Sequence, residues 1–265
     1  MMASALIGKP VSHSIGQHIY NRLFDVYNID SIYLSIDMDE NNIKKFIEYS
    51  RRNFIGFNVT APYKEVIMKY LDDIDLTAKN IGSVNLVKNL YGKLYGYNSD
   101  YNGFLFLLKN NNIDLNDKNV LILGTGGIAK TIIYAIKNNY NSSITAATRN
   151  INNKKLGIKT IKYDDINGYD VVINCTPVGT DPDVNMPISE NKINDNITGI
   201  DVIYNPLETK FLRAVKNRNG IAVNGSDLFI GQGIETLKKL YNIDIRYDEF
   251  KAFFMKKINN AIHFK

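Results

Sequence analysis

A glycine-rich turn joins an apolar run to an apolar-striped helix near the middle of the chain. The run Val120–Leu123 is wholly apolar, as in a strand that is buried on both faces of a parallel sheet. It leads into Gly124-Thr125-Gly126-Gly127-Ile128-Ala129, whose G-x-G-x-x-A spacing is typical of dinucleotide-binding turns. There the first glycine permits the tight bend, the second lets the backbone approach a pyrophosphate, and the alanine permits close packing of helix on strand. Free N–H groups at the start of the helix would face the phosphates, so we predict a Rossmann-type nucleotide-binding unit.

The next predicted strand, Ser143–Thr148, ends at a basic residue. An NAD-binding unit would place an Asp or Glu here to bind the adenosine ribose, but none occurs between Tyr140 and Tyr163. Arg149 stands at this position instead, and a planar guanidinium suits a 2′-phosphate. The alternative is an ordinary solvated loop, and we favour NADP. The predicted ligands at this end of the cofactor are Thr148, Arg149, Asn150 and Lys154.

Composition narrows the class of protein. A chain of 265 residues has room for two domains of typical size, and 45% hydrophobic with 22% charged residues is typical of a globular protein. No apolar run is long enough to span a bilayer, and Met1-Met2-Ala3-Ser4 leads straight into a strand, so we expect a cytoplasmic protein. Cys175 is the only cysteine, which argues against a disulfide framework and a bound metal cluster. The net charge of +5 is dispersed, so we expect neither nucleic acid nor a membrane as a partner.

Polar side chains also stand in two loops that precede predicted helices. Ser12 and Ser14 follow the predicted strand Ser4–Gly8, and their hydroxyls could bind a carboxylate or a hydroxylated ligand. Ser14 could instead be a simple helix N-cap. Asp100 precedes a predicted helix and has the same alternative role. Taken singly, these residues favour the capping interpretation.

Lys64 is the candidate for proton transfer. It would lie in the first turn of a helix that begins at Pro62 and ends at about Leu71. A lysine there opposes the positive end of the helix dipole, which can lower its pKa and fit it for acid–base chemistry. A solvated surface lysine is the alternative, and it is favoured for a lone lysine.

Strands and helices alternate along most of the chain. In the first hundred residues this pattern predicts a parallel-rich α/β sheet whose loops gather at one edge. Two short strands of this region, Ser83–Lys88 and Leu90–Tyr97, are predicted to form a hairpin that turns at Asn89. After the nucleotide unit, three further strands are predicted: Thr176 follows the strand Tyr169–Cys175, Tyr204 ends the strand Gly199–Tyr204, and Gly225 follows the strand Gly220–Asn224. The predicted helix Leu228–Tyr241 carries Gln232, and a last helix, from about 247 to 262, should return to the first domain.

In chain order these residues belong to a series of short motifs. The motifs are Ser12-His13-Ser14 with Asn21, Asn58–Lys64 (NVTAPYK), Ile81–Asn85 (IGSVN), Gly96–Gly103 (GYNSDYNG), the glycine-rich turn, Asn174–Gly179 (NCTPVG), Tyr204-Asn205-Pro206 with Thr209, and Asn224-Gly225 with Gln232. From Leu6 to Ala261 the chain thereby resembles the shikimate dehydrogenase family.

The resemblance implies an activity and an architecture. Members of the family reduce 3-dehydroshikimate to shikimate with NADPH, on the chorismate route to the aromatic amino acids. The implied substrate domain comprises residues 1–101 and 228–265, the implied Rossmann NADP-binding domain comprises 102–227, and catalysis takes place in the cleft between them. The protein would be a monomer or a homodimer.

The resemblance also implies roles for individual residues. Lys64 would transfer the proton, and Asp100 would hold its ammonium group in place and bind a neighbouring hydroxyl. Ser12, Ser14 and Tyr204 would hold the substrate carboxylate. Thr60, Asn85 and Gln232 would surround the ring hydroxyls, and Thr176 and Gly225 would contact the cofactor.

One departure and three alternative functions remain open at the level of sequence. Gly16-Gln17 replaces a usual Ser-Pro pair, which predicts a looser start for the first helix. A dual quinate/shikimate dehydrogenase would be expected to carry an acidic residue near Arg149, and none occurs there. A non-catalytic NADP-binding regulatory protein would need neither Lys64 nor Asp100. A nucleic-acid-binding module would need interleaved basic and aromatic residues, which the sequence lacks.

Overall fold

The computed structural model of the protein describes residues 2–11, 14–149, 151 and 156–262. The chain forms two compact units, Met1–Ser99 with Gln232–Lys265, and Asp100–Gly231. These divisions fall at 99/100 and 231/232, against the predicted 101/102 and 227/228. In the described ranges, no helix is long and apolar enough to cross a membrane.

The first unit contains a mixed sheet of six strands in the order β2-β1-β3-β5-β6-β4. The strands are β1 (Met2–Gly8), β2 (Ser31–Asp37), β3 (Gly56–Val59), β4 (Asp73–Ile74), β5 (Leu86–Leu90) and β6 (Lys93–Tyr97). β1 runs parallel to β2 and β3, whereas β5 is antiparallel to both β3 and β6. The prediction of a parallel-rich sheet that contains a hairpin is therefore confirmed, because β1 is parallel to β2 and β3, β4 is parallel to β6, and β5 and β6 form the antiparallel hairpin.

Eight α-helices occur in the described part of the chain. They are α1 (Gly16–Val26), α2 (Ile43–Asn53), α3 (Leu76–Ile81), α4 (Ser99–Asn110), α5 (Gly127–Asn139), α6 (Lys210–Asn217), α7 (Ser226–Tyr241) and α8 (Tyr247–Ile262). As predicted, α8 belongs to the first unit, where Phe250, Phe254 and Ile258 are buried.

Two side chains join α1 to the edge strand β2. The Oε1 atom of Gln17 accepts a hydrogen bond of 2.7 Å from the Ser35 N–H. Asn21 accepts from the Tyr33 N–H and donates to the Tyr33 carbonyl, at 2.7 and 2.9 Å. Gln17 itself therefore ties the first turn of α1 to the sheet, but the N-cap residue Ile15 makes no side-chain capping bond, and a looser helix start stays a prediction.

The second unit contains a wholly parallel sheet in the order β9-β8-β7-β10-β11-β12. The strands are β7 (Asn119–Leu123), β8 (Ser143–Ala147), β9 (Lys159–Ile161), β10 (Val171–Asn174), β11 (Thr198–Asp201) and β12 (Ile221–Val223). This is the 3-2-1-4-5-6 order of dinucleotide-binding domains, and the order reverses between β7 and β10. Ligands of such sheets bind at the carboxyl ends of the strands at this switch point.

The central strand β7 is buried on both faces. Val120 and Ile122 pack in one apolar cluster with Ile132 of α5. Leu121 and Leu123 pack in another with Phe211 of α6. Two apolar layers explain why this strand is a continuous hydrophobic run without alternation, as the sequence predicts. They also fix the position from which the glycine-rich turn departs.

Candidate active site

The glycine-rich turn has the geometry of a phosphate-binding loop. Gly124 has a φ of +97°, a backbone conformation that residues with a side chain rarely adopt. A Cβ atom there would lie 3.0 Å from Thr176 Cγ2. Gly126 is exposed, and a Cβ atom there would meet no atom within 4 Å, so the backbone presents an open face. α5 begins at Gly127 and has no acidic residue in its first turn. Open backbone and free N–H groups without a competing carboxylate fit a pyrophosphate.

The carboxyl end of β8 lies beside this turn in the sheet order. Thr148 is buried, and its N–H donates to the Ile161 carbonyl at 3.0 Å. Arg149 is exposed and lies close enough to Tyr163 to lower the pKa of that phenol, although burial dominates and the pKa is raised overall. Asn150 and Lys154, the other residues predicted here, lie outside the described part of the chain. The described residues thus leave a guanidinium available at this edge for an anionic group.

Thr176 and Gly225 follow β10 and β12 in the same unit. The Thr176 N–H and hydroxyl both donate to Asn174 Oδ1, at 3.0 and 2.7 Å. Gly225 donates its N–H to the Ile203 carbonyl at 2.9 Å, and a Cβ atom there would lie only 2.0 Å from the Val202 carbonyl oxygen. Both predicted cofactor residues are therefore held by the loops around them.

Lys64 lies in a turn and not in a helix. The next helical segment is a 3₁₀ helix at Val66–Tyr70, so the predicted helix start at Pro62 is wrong, and with it the argument from the helix dipole. In this turn the Lys64 carbonyl accepts a tertiary hydrogen bond from the Val84 N–H at 2.8 Å, and the Met68 N–H, which an α-helix would direct to that carbonyl, donates to the Glu65 carbonyl instead. Thr60, four residues before Lys64, also has a fixed backbone, because its N–H donates to the Ile7 carbonyl at 2.9 Å.

Asn85 is connected to the start of the helix that carries Asp100. α4 begins at Ser99, so Asp100 lies within the first turn and is not the N-cap. Asn85 Oδ1 accepts from the Ser99 N–H at 2.7 Å and from the Ser99 hydroxyl at 3.2 Å. Because both lone pairs of this oxygen are used, Asn85 can face a ligand only as a donor, through Nδ2.

Three other predicted substrate residues differ in their surroundings. Ser14 precedes Ile15, the N-cap residue of α1, and its hydroxyl accepts from the Gly16 N–H at 3.3 Å; the hydroxyl proton can still be donated to a carboxylate. The Tyr204 ring lies 4.6 Å from that of Phe229, and burial raises the pKa of Tyr204 to about 12, so its hydroxyl is a neutral donor. Gln232 is partly buried on α7, and Ser12 lies outside the described residues.

The predicted ligands are divided between the two units. Ser14, Thr60, Lys64, Asn85 and Gln232 belong to the first, whereas Asp100, Tyr204 and the nucleotide-binding residues belong to the second. Among the described residues, no group of three His, Cys, Asp or Glu side chains could hold a metal ion.

The parallel sheet, its strand order and its glycine-rich turn define a Rossmann-type dinucleotide-binding protein with a second α/β unit. Residues 6–87 match the family described as "Shikimate dehydrogenase substrate binding domain". A curated relative named shikimate dehydrogenase (NADP(+)), from Thermoplasma acidophilum, is 41% identical over 90% of both chains. The chain belongs to the shikimate dehydrogenase family.

Solved structures agree with this assignment. Shikimate dehydrogenase 1 from Peptoclostridium difficile is 34% identical, with a TM-score of 0.88 over 97% of this chain and 98% of that one. A shikimate dehydrogenase in complex with NADP⁺ is 32% identical, with a TM-score of 0.89 over 97% and 96%. The fold expected from the resemblance is therefore confirmed, as is the family.

Sequence analysis assigned no role to two polar residues of the second unit, Asn174 and Asp201. Asn174 was named only as part of a motif. Asn174 is the last residue of β10, Asp201 is the last residue of β11, and both are fully buried. The signal that could have found them is a polar residue directly after an apolar strand, at the edge of the sheet where ligands bind.

Proposed function

We propose that this protein is an NADP-dependent oxidoreductase that reversibly reduces 3-dehydroshikimate to shikimate in aromatic amino-acid biosynthesis. The observation that carries the proposal is the 41% identity over 90% of both chains to a shikimate dehydrogenase (NADP(+)). The curated relatives with 33–41% identity share this name, which favours it over a dual quinate/shikimate dehydrogenase. A non-catalytic regulatory protein is disfavoured for the same reason.

The second unit supplies the cofactor site in this proposal. Gly126 and the first turn of α5 would hold the pyrophosphate, and Arg149 would bind the 2′-phosphate, as the open backbone and the exposed guanidinium support. Thr176 and Gly225 would line the site further along the sheet edge. When NADPH is bound, its nicotinamide supplies the hydride for the carbonyl carbon.

Lys64 is the proposed acid–base residue. The oxygen of the reduced carbonyl develops negative charge and needs a proton, which the Lys64 ammonium can donate; in the oxidation of shikimate the neutral amine would accept it. The hydrogen bond of the Lys64 carbonyl to Val84 supports this role, because it holds the backbone that carries the amine. Asp100 would orient the ammonium.

The substrate would be held by directed hydrogen-bond donors. Ser14 and Tyr204, with Ser12, would donate hydroxyl protons to the carboxylate. Asn85 Nδ2 would donate to a ring oxygen, a role supported by the commitment of Oδ1 to Ser99. Thr60 and Gln232 would complete the contacts with the ring hydroxyls. We place this reaction in the cytoplasm, where NADPH is maintained, and expect a monomer or a homodimer.

The test is reduction of NADP by shikimate, followed at 340 nm, the standard absorbance of reduced nicotinamide. We expect turnover with shikimate and NADP, and much lower kcat/KM with quinate or with NAD. Absence of turnover with every pair would refute the activity, and equal efficiency with quinate would refute the specificity.

Lys64→Ala tests the assignment of the acid–base residue. We expect kcat to fall by roughly a hundredfold or more, the usual contribution of acid–base catalysis. Lys69→Ala is the matched control, because Lys69 is an exposed lysine of the adjacent 3₁₀ helix. A fall of less than about tenfold for Lys64→Ala, or an equal fall for the control, removes the assignment.

A further inference from the structure

A buried carboxylate lies beneath two loops of the second unit that contain proposed ligands. Asp201 is the last residue of β11 and is fully buried. It accepts three hydrogen bonds, from Asn174 Nδ2 at 3.0 Å, the Ile203 N–H at 3.1 Å and the Thr209 hydroxyl at 2.8 Å. All three partners are donors, and an ionised carboxylate can only accept hydrogen bonds.

One arm of this network leads to the cofactor site. Asn174 is opposite Asp201 in the register of β10 and β11. Its Nδ2 atom donates to Asp201 and to the Val178 carbonyl at 3.2 Å, while its Oδ1 accepts both polar hydrogens of Thr176. The Thr176 methyl group in turn lies against Gly124, at the switch point of the sheet. The hydrogen-bonding capacity of the Asn174 side chain is thus filled, and its orientation is fixed.

The other arm leads to Tyr204 and Gly225. The Ile203 N–H, which precedes Tyr204 by one residue, is bound by the Asp201 carboxylate. The Ile203 carbonyl accepts from the Gly225 N–H at 2.9 Å. Loss of the carboxylate would therefore release the loops that contain Thr176, Tyr204 and Gly225 together.

We propose that Asp201 is a positioning residue, whose carboxylate fixes the Thr176 loop of the cofactor site relative to the loop that carries Tyr204. The proposal rests on the proposed function for the identity of the ligands. Asp201 touches neither ligand in this scheme and acts through Asn174 and Ile203. Misplacement of binding groups by about 1 Å can reduce an enzyme's rate by roughly a hundredfold.

The third donor provides a control that separates positioning from stability. The Thr209 hydroxyl donates to Asp201 and accepts from the Leu212 N–H at 3.3 Å, as the N-cap of α6. Thr209→Val removes this cap and leaves one Asp201 oxygen without its donor, so it should lower stability by about 2–4 kcal/mol. It leaves the bonds from Asp201 to Asn174 and Ile203 in place, so the two loops should keep their positions.

The experiment measures the Kd for NADP by calorimetry, together with kcat and KM for shikimate, at pH 8, where the carboxylate is ionised. For Asp201→Ala we expect the Kd for NADP to rise at least tenfold and kcat to fall at least tenfold. Asp201→Asn should stay within fivefold, because an amide turned with Nδ2 toward Thr209 keeps the acceptor for Asn174 and Ile203. Thr209→Val should stay within threefold in both quantities despite its lower Tm.

Two outcomes would overturn the proposal. One is a folded Asp201→Ala protein whose Kd and kcat stay within threefold of the parent. The other is a Thr209→Val protein with the same losses as Asp201→Ala, which would indicate stability alone. If Asp201→Ala does not fold, the same thresholds apply to Asp201→Ser. The Kd for NADP is independent of shikimate turnover, so a failure of the proposed function would be seen separately.

Discussion

A methyl group at Gly126 should weaken NADP binding without weakening the fold. Gly126 has φ −76° and ψ −172°, which any residue adopts, and a Cβ atom there would meet nothing within 4 Å. Gly-to-Ala replacement at a compatible position stabilises by about 0.4–1 kcal/mol, whereas alanine is a poorer N-cap by up to about 1 kcal/mol. The two effects oppose each other, so we expect the free energy of unfolding to change by less than about 1 kcal/mol.

The effect on the cofactor should be much larger. In the proposed complex the open face at Gly126 is occupied by the pyrophosphate, and the methyl group would push it away from the backbone N–H groups. Loss of one hydrogen bond to a charged group costs about 1.5–3 kcal/mol, which corresponds to a rise of roughly 10- to 150-fold in the KM for NADP. The KM for shikimate, measured at saturating NADP, should change little.

Gly124→Ala is the matched control within the same turn. Gly124 has a φ of +97°, and its added methyl group would lie 3.0 Å from Thr176 Cγ2. A left-handed backbone costs an L residue roughly 1–2 kcal/mol, so this variant should lose both stability and NADP binding. Thermal melts and KM measurements on both variants decide the matter. A Gly126→Ala protein that melts as low as Gly124→Ala, or binds NADP normally, contradicts the assignment of the open face to the cofactor.

Three further predictions concern the cofactor, the buried carboxylate and the helix start. Arg149→Ala should raise the KM for NADP at least tenfold and leave that for NAD unchanged, because only NADP has a 2′-phosphate; equal changes in steady-state assays would contradict this. Burial raises the pKa of Asp201 to about 6 from 3.8, so its stabilising contribution is complete below pH 3.8 and is lost as the pH rises through 6, about 3 kcal/mol in all. In Asp201→Asn the free energy of unfolding, measured with urea at pH 4.5 and 7.5, should lack this decline. If the variant loses as much stability between the two pH values as the parent does, the raised pKa of Asp201 is refuted. Gln17→Ala should lower stability by about 1 kcal/mol, since the Ser35 N–H loses its acceptor, and an unchanged Tm would show that the bond contributes nothing.

The nucleotide-binding half of the fold follows closely from the sequence. The apolar run at β7 and the striped helix α5 occur where they are predicted, because burial on two faces dictates both patterns. β9 was not predicted. It is a three-residue edge strand, Lys159–Ile161, with no fully buried residue, so it carries no hydrophobic signal.

The hairpin of β5 and β6 turns at a different residue from the one that the sequence predicts, because Asn89 makes tertiary hydrogen bonds. The sequence predicts the turn at Asn89, but the chain turns at Tyr91-Gly92, with φ values of 54° and 85°. Asn89 remains in β5, and its side-chain amide donates to the carbonyls of Ser50, Arg51 and Phe54. Ser50 and Arg51 lie in the last turn of α2, and Phe54 is its C-cap residue. An asparagine in a turn and an asparagine that caps a neighbouring helix end cannot be distinguished from local sequence.

The candidate site divides in the same way between local and non-local information. The order of the motifs identifies residues that can donate protons or bind phosphate. These residues follow predicted strands, and the apolar pattern of each strand can be recognised from its own short segment of sequence. The connection of Thr176 to Tyr204 depends instead on the register of β10 against β11, which places Asn174 opposite Asp201. Register is set by the packing of both strands against α5 and α6, and no single segment encodes it. A buried acceptor that serves three donors is therefore visible only once the sheet is assembled, because Asp201, Asn174 and Thr209 are ordinary polar residues in the sequence and Ile203 contributes only its backbone N–H.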